Sequence, residues 1–271
     1  GTPTSYTVSA SPQVSGVTRT CTVTGASGSC AVTGLTNGTG YTFTTTATNA
    51  MGTSGSSSAS SSVTPAITCA TGGTCILGNT GPGGGIVFYV QASSGTFTST
   101  GSTCNTTCKY LEIAPQGWIV SSSPSGQINC GSAGGIDGTS TVDPKCLWSG
   151  NTATDVGAGA SGDAIGAGHA NTTAIISQSN TAGKAATVAR AYQGGGLTDW
   201  YLPSLTELGE IATKWTSGTL TVGNSGLPSD YYWGSTVVNS TIAQRKNIQT
   251  AHPVNSPKTE AWYIRPIRAF G

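Results

Sequence analysis

The chain has 271 residues, of which 40 are Gly, and only 8% are charged, with a net charge of +1. That length suits two domains rather than one small module, and six Trp with nine Tyr exclude a simply disordered polymer. Near-neutral charge gives no reason to expect a nucleic-acid partner, and no apolar run approaches the ~20 residues of a membrane span. The chain opens on Gly1 without an initiator Met or signal peptide, so a processed product or a fragment is expected. Beyond residue 213, Lys214, Arg245, Lys246, Lys258, Arg265 and Arg268 outnumber Asp230 and Glu260. Such a segment would attract a polyanion, or would be no more than one pole of a dipolar surface.

Residues 4–65 read as strands. Ser5–Ala10, Thr20–Thr24, Cys30–Thr33 and Tyr41–Thr48 alternate or are β-branched, and Gly, Ser and Asn clusters separate them. An all-β sandwich is expected for residues 1–65. Residues 66–80 read as a linker stapled by Cys69 and Cys75. Gly81-Pro-Gly-Gly-Gly85 lacks the Lys-Ser/Thr ending of a phosphate loop and leads into a strand, so it reads as a turn.

Strands are expected at Ile86–Val90 and Lys109–Ala114. Residues 119–160 are a Ser/Gly-rich stretch that needs a staple, which Cys130 and Cys146 can supply. Asn171 can cap a helix to about Gln178, and Thr181 a second from Ala182 to Tyr192. Ser204-Leu-Thr-Glu207 has the form of a capping box. Leu205, Leu208, Ile211, Ala212 and Trp215 then form a helical apolar stripe. Strands return at Tyr231–Thr236 and Trp262–Ala269. Residues 81–271 are therefore α+β.

Eight Cys fit an oxidising compartment. They allow about a hundred connectivities, and the simplest local pairing is Cys21–Cys30, Cys69–Cys75, Cys104–Cys108 and Cys130–Cys146. A zinc site would need a second closely spaced pair, which the sequence lacks.

Two family resemblances follow from the motifs. Gly34-Leu-Thr-Asn-Gly-Thr-Gly-Tyr41 with Ala47-Thr-Asn-Ala-Met-Gly52 resembles the second half of a bacterial fibronectin type III domain. The resemblance makes Leu35 and Tyr41 a tyrosine corner and implies two earlier strands that residues 1–65 lack. Truncation is the simpler expectation, and strand complementation by another molecule is the alternative.

Residues 81–271 carry Gly84-Gly-Ile-Val-Phe-Tyr89, Tyr110-Leu-Glu-Ile-Ala-Pro115, Ile165-Gly-Ala-Gly-His-Ala-Asn171, Asp199-Trp-Tyr-Leu-Pro-Ser204, Tyr232-Trp-Gly-Ser-Thr236 and Ile264-Arg-Pro-Ile-Arg-Ala-Phe270. In this order they resemble the C-terminal domain of collagen-like bacterial adhesins (the Lcl C-terminal domain family), which is similar to C-type lectins. The resemblance implies an extracellular adhesion or ligand-binding module on a bacterial surface or virion, recognising glycans or a cell-surface receptor. The alternative is a structural or receptor-binding component of a phage virion or surface filament, with neighbouring copies as partners and the sandwich as assembly element.

No enzyme is expected. The paired late Cys of the fold's enzyme branch is missing, and neither His169 nor His252 comes with a nucleophile elbow. No cofactor is expected either. Asp137, Asp143, Asp155 and Asp163 read as solvated loop acids, with a structural calcium as the alternative. Trp200, Trp233, Trp262, Tyr263 and Phe270 fall on motif positions and read as core. Residues 237–259 form a polar segment that reads as a binding loop. The candidate ligand-binding residues are Asn239, Thr241, Gln244, Arg245, Asn247, Gln249, His252 and Asn255, flanked by Tyr231 and Tyr232.

Overall fold

The computed structural model describes residues 1–13, 17–25, 27–92, 95–118, 130–139, 141–220 and 226–271. Part of the Ser/Gly-rich stretch 119–160 lies outside the described residues. The chain divides into two compact units, Gly1–Thr68 and Cys69–Gly271. Most regular structure is β-sheet, with three α-helices among the described residues.

The first unit is one antiparallel sheet of β1 (Ser5–Ser11), β2 (Thr20–Thr24), β3 (Thr42–Asn49) and β4 (Gly52–Thr53), in the order β2-β1-β3-β4. Register sorts its side chains by the period-2 rule. Tyr6 lies between Val23 and Ala47, Val8 between Cys21 and Thr45, and Ala10 opposite Phe43, which makes one face largely apolar. Thr7, Thr22 and Thr46, with Ser9, Thr20 and Thr44, make the other face hydroxylic. Most of the apolar face remains half-exposed.

Cys30–Thr33 forms no strand, contrary to its alternation, because no neighbouring strand pairs with it; the Cys21–Cys30 disulfide holds its start. Tyr41 is buried and its hydroxyl accepts from the Thr36 amide at 3.0 Å. The Arg19 guanidinium lies 5.1 Å from the Tyr41 ring and donates to the Gly34 carbonyl.

The Ser-rich stretch after β4 is ordered by a period-3 ladder. The amides of Ser54, Ser57 and Ser60 donate to the carbonyls of Ala47, Thr45 and Phe43. Their hydroxyls accept from the amides of those same three residues, each at 3.0 Å. Three edge residues thus match two of β3, so every repeat is bulged and hydroxyls stand in for carbonyls.

The second unit holds β5 (Ile86–Val90), β6 (Tyr110–Ile113), β7 (Lys145–Leu147), α1 (Ala167–Gln178), α2 (Ala185–Ala191) and α3 (Leu205–Thr216). It continues with β8 (Tyr231–Val237), β9 (Ile242–Asn247), β10 (Pro253–Pro257), β11 (Ala261–Tyr263) and β12 (Ile267–Phe270). One sheet runs β12-β6-β5 and the other β10-β9-β8-β11-β7. Residues from Cys69 onward belong to this unit, where Cys69 and Cys75 pack with Val87 and Phe270. A larger core gathers Trp118, Trp148, Trp200, Trp233 and the Cys130–Cys146 bridge. Another joins Phe88, Leu111, Tyr201, Leu208, Ile211 and Tyr232. The bridges Cys69–Cys75 and Cys104–Cys108 complete four local disulfides.

Several boundaries differ from the sequence reading. Helix α1 starts at Ala167, after Gly166 at φ 87°. Asn171 therefore lies inside it, buried, and its Nδ2 donates to the Gly162 carbonyl and to Ser235 Oγ. Helix α2 starts three residues late, because Gly183 takes a left-handed turn (φ 74°) that the chain before it cannot carry as helix. The expected strand Trp262–Ala269 breaks into β11 and β12 around Pro266, which has no amide to donate. The Ser204/Glu207 capping box forms.

The Gly81–Gly85 turn has a second role. Gly83 and Gly85 amides donate to the buried Glu112 carboxylate at 3.0 to 3.1 Å. A Cβ on Gly83 would meet the Trp200 ring at 2.4 Å, so the close approach requires Gly.

Candidate functional site

Residues 237–259 are mostly strand rather than loop, with β9 and the edge strand β10 paired from Ile242–Pro257 to Lys246–Pro253. The ten candidate residues accordingly do not form one patch. Asn239 builds the turn before β9, its Oδ1 accepting from the Thr241 and Ile242 amides. Asn247 builds the turn after β9, accepting from the Gln249 and Thr250 amides. The six residues of β9 hold these turns roughly 20 Å apart. Thr241 sits exposed at the first turn; Gln249 at the second accepts from Ser229 Oγ, and His252 lies there exposed. Gln244 and Asn255 pair across β9 and β10, Gln244 Nε2 donating at 3.4 Å. Tyr232 is buried, and its hydroxyl donates to Asp143 at 2.8 Å. It belongs to the core, not to a surface, because it packs with Phe88, Leu111, Tyr201 and Leu208.

Two candidates, Tyr231 and Arg245, do meet, and they meet a residue that the sequence placed in the core. The Arg245 side chain leaves β9 and reaches over β8 to β11. Its guanidinium carbon lies 4.1 Å from the Tyr231 ring centroid and 3.5 Å from that of Trp262. The two rings contact each other edge-on at 5.8 Å. Arg245 Nε donates to Ser256 Oγ at 2.5 Å. Among the described residues its Nη1 is buried and has no hydrogen-bond partner. Burial pulls the Arg245 pKa down, against the opposing charges of Glu260, Tyr231 and Asp230. Arg nonetheless stays protonated at neutral pH.

Lys145 extends this surface from β7. Its ammonium lies 4.3 Å from the Tyr263 ring and 5.8 Å from Trp262, and 3.4 Å from the Asp230 carboxylate. Trp262 Nε1 donates to Glu260 at 2.9 Å. Tyr231, Arg245, Trp262 and Tyr263 are all half-exposed. Trp200, Trp233 and Phe270, by contrast, are buried as their motif positions suggest. No local signal marks Trp262 as a surface residue. Only the strand order β9-β8-β11 brings it to Arg245.

The ionisable groups elsewhere have structural partners. Glu207 is fully buried and accepts from the Ser204 amide at 2.7 Å, the Gly166 amide at 2.9 Å and the Tyr201 hydroxyl at 3.3 Å. Burial raises its pKa to about 7 against those hydrogen bonds. His169 is held by the Thr100 carbonyl at 2.9 Å and lies edge-on to Tyr201, and burial lowers its pKa.

Asp143 is no solvated loop acid. It is buried and receives Trp118 Nε1, the Tyr232 hydroxyl and Arg265 Nε, each at 2.8 Å. Asp137 accepts from the Gly131 amide and Asp155 from the Gly157 amide, while the Asp163 carbonyl caps the start of α3. Among the described residues no group of three or more His, Cys, Asp or Glu stands close enough to hold a metal. No helix among them is long and apolar enough to cross a membrane.

The chain matches no family model, and no curated protein matches it.

Proposed function

We propose that the chain is an extracellular ligand-binding module that recognises a glycan or a cell-surface receptor through the face built by Tyr231, Arg245 and Trp262. The supporting observation is the Arg245 guanidinium packed against two half-exposed rings, with its buried Nη1 lacking a hydrogen-bond partner among the described residues. Exposed aromatic faces stack on the apolar face of a sugar ring or on an apolar side chain. A guanidinium fixed beside them adds a positive charge with little ordering left to lose on binding. Four disulfides fit an oxidising, extracellular setting. In this reading the second unit is a C-type-lectin-like domain of the Lcl C-terminal type. The first, expected as a sandwich, forms a single sheet among the described residues and would be one sheet of a partial fibronectin type III domain. The other candidate residues of 237–259 serve the scaffold or the rim.

A glycan array probed with the native chain, Arg245→Ala and Trp262→Ala tests the reading. Binding by the native chain that both variants lose supports it. An array that stays blank, or variants that bind as the native chain does, would remove this face from consideration.

The second reading, a component of a virion or surface filament, has one observation in its favour. The apolar face of the first sheet, with Tyr6, Val8 and Phe43, is half-exposed. Electron microscopy of the native source would find the chain repeated along a polymer if this reading is right, and as isolated modules if it is not.

A further inference from the structure

The three sheets of the molecule have six edges, and among the described residues five of them are closed. Ile136 pairs with Lys145 on β7, residues 78–80 pair with Ile86 and Val87 of β5, and Tyr201 exchanges backbone bonds with Ile267 of β12. Strand β4 is two residues long and runs on into the bulged serine ladder. On β10, the bonds from Asn247 to the His252 carbonyl and from Lys258 to the Thr241 carbonyl fix which residues face outward. By alternation these are Pro253, Asn255 and Pro257. Two of the three have no amide to offer a further strand. Short strands, bulges and prolines are how proteins blunt sheet edges.

Strand β2 has none of these guards. Ala10 donates to the Arg19 carbonyl and Gly25 to the Thr4 carbonyl. Along β2 the backbone of Cys21 and Val23 therefore faces β1, and that of Thr20, Thr22 and Thr24 faces outward. Among the described residues no hydrogen bond takes these outward amides and carbonyls. The strand, Thr-Cys-Thr-Val-Thr, holds no Pro, Gly or charge, and its β-branched residues suit a strand. The chain beyond it turns to the apolar side, where Cys21 is bridged to Cys30 and Gly28 lies against the Val23 side chain. Residues 1–68 carry a single charged side chain, Arg19, and it is 4% exposed. No exposed charged side chain of this unit repels a second copy.

We propose that β2 is a docking edge for β2 of a second copy of this chain, the two strands running antiparallel about a twofold axis at Thr22. The sequence matches itself in that register. Thr22 meets Thr22 and Thr20 meets Thr24, so all three outward residues face outward residues, and each pair exchanges two backbone bonds. Cys21 meets Val23, so apolar side chains continue the apolar face of the sheet and threonines the hydroxylic one. A slip of one residue sets outward groups against inward ones, and a slip of two loses a pair. Main-chain hydrogen bonds supply the affinity, as in other strand additions. A twofold contact closes at two chains, so the pairing gives a dimer and not a filament. It does not involve the face of Tyr231, Arg245 and Trp262.

Sedimentation velocity of the whole chain over a rising concentration series tests the proposal. The native chain is expected to shift from one chain mass toward two. Thr22→Pro removes the central outward amide from both copies and leaves the bonds of Cys21 and Val23 to β1 in place. It should weaken self-association about tenfold or more, the effect of two lost hydrogen bonds. Thr22→Lys and Thr22→Glu each set like charges opposite one another at the axis and should abolish it. An equimolar mixture of those two variants should recover the dimer, because position 22 meets position 22 in this register. That recovery also shows that both variants fold. Arg245→Ala should associate as the native chain does. Three results would each overturn the proposal: a native chain of one mass at every concentration, Thr22→Pro associating as the native chain does, or a mixture no more associated than its parts. Species that grow beyond two chains would overturn the twofold closure and make the edge part of a polymer.

Discussion

Arg245 and Trp262 stack, with the guanidinium carbon 3.5 Å from the ring centroid, although they come from strands that are not neighbours. Tyr231 covers the other approach at 4.1 Å. Such contacts contribute about 0.5–2 kcal/mol each, more as water is excluded. Arg245→Lys keeps the charge and loses the planar fork, so it should not restore binding lost in Arg245→Ala. Both variants should change the fluorescence of Trp262 and lower unfolding stability by no more than ~4 kcal/mol, the sum of the two contacts. Full binding by Arg245→Lys would show that charge alone, not the stacked plane, is what the face offers.

Part of that face could be read from the sequence and part could not. Tyr231 and Arg245 stood out because they lie in or beside a polar segment rich in hydrogen-bonding side chains. Trp262 did not, because it adjoins a strand motif and every Trp near such a motif looks like core. The decisive fact is that β11 pairs with β8 in parallel and so carries Trp262 beside Tyr231. Asn239 and Asn247 misled for the opposite reason. Asn is favoured in binding loops and in turns alike, and here both side chains hold turns.

Glu207 makes stability depend on pH. Its pKa rises from an ordinary 4.5 to about 7 in the folded chain. Between those values the folded chain holds a proton that the unfolded chain has lost. Stability is therefore full below pH 4.5 and falls as pH rises through about 7, by on the order of 3 kcal/mol. His169, with a lowered pKa, acts in the opposite sense below 6.5. The comparison with Glu207→Gln cancels that contribution. The variant should be less stable at low pH, because its amide nitrogen faces a donor, yet lack this slope. Urea midpoints measured from pH 4.5 to 8 decide it, and parallel curves for the two proteins would exclude Glu207 as the cause.

The disulfides should differ in reactivity by burial. Cys130 and Cys146 are fully buried in the main core, whereas Cys30 is exposed. Limited reduction followed by alkylation and mass spectrometry should label Cys21 and Cys30 first. Cys130 and Cys146 should label only on unfolding. Replacing both by Ser should cost about 3 kcal/mol, the value for a loop of this length. Equal labelling rates for the two bridges would contradict the ranking.

The α-helices show why local signals succeed and where they fail. Helix α3 was legible from Ser204, Glu207 and its apolar stripe, because a capping box is a contact within four residues. The start of α1 was not, because Asn171 is as good a cap by composition as it is a buried hydrogen-bond donor. Its partners, Gly162 and Ser235, are set by the fold. Cys30–Thr33 alternates as a strand does, but a strand needs a neighbour to pair with, and alternation says nothing about one.

Asp143 is where the second unit's elements converge, and removing its charge should be costly. It receives Trp118, Tyr232 and Arg265, and its carboxylate and the Arg265 side chain are both 2% exposed. Three donors are aimed at one buried carboxylate. Asp143→Asn keeps the shape but presents an amide to at least one donor, and it leaves the Arg265 charge uncompensated. Breaking a buried pair in this way costs about 3–5 kcal/mol. Thermal denaturation should show the loss. Asp143→Asn combined with Arg265→Met should recover part of it, because no buried charge then remains unpaired. A double variant as unstable as the sum of both single changes would mean that Arg265 matters through its other bonds, to Ala114 and Gly226, rather than through Asp143.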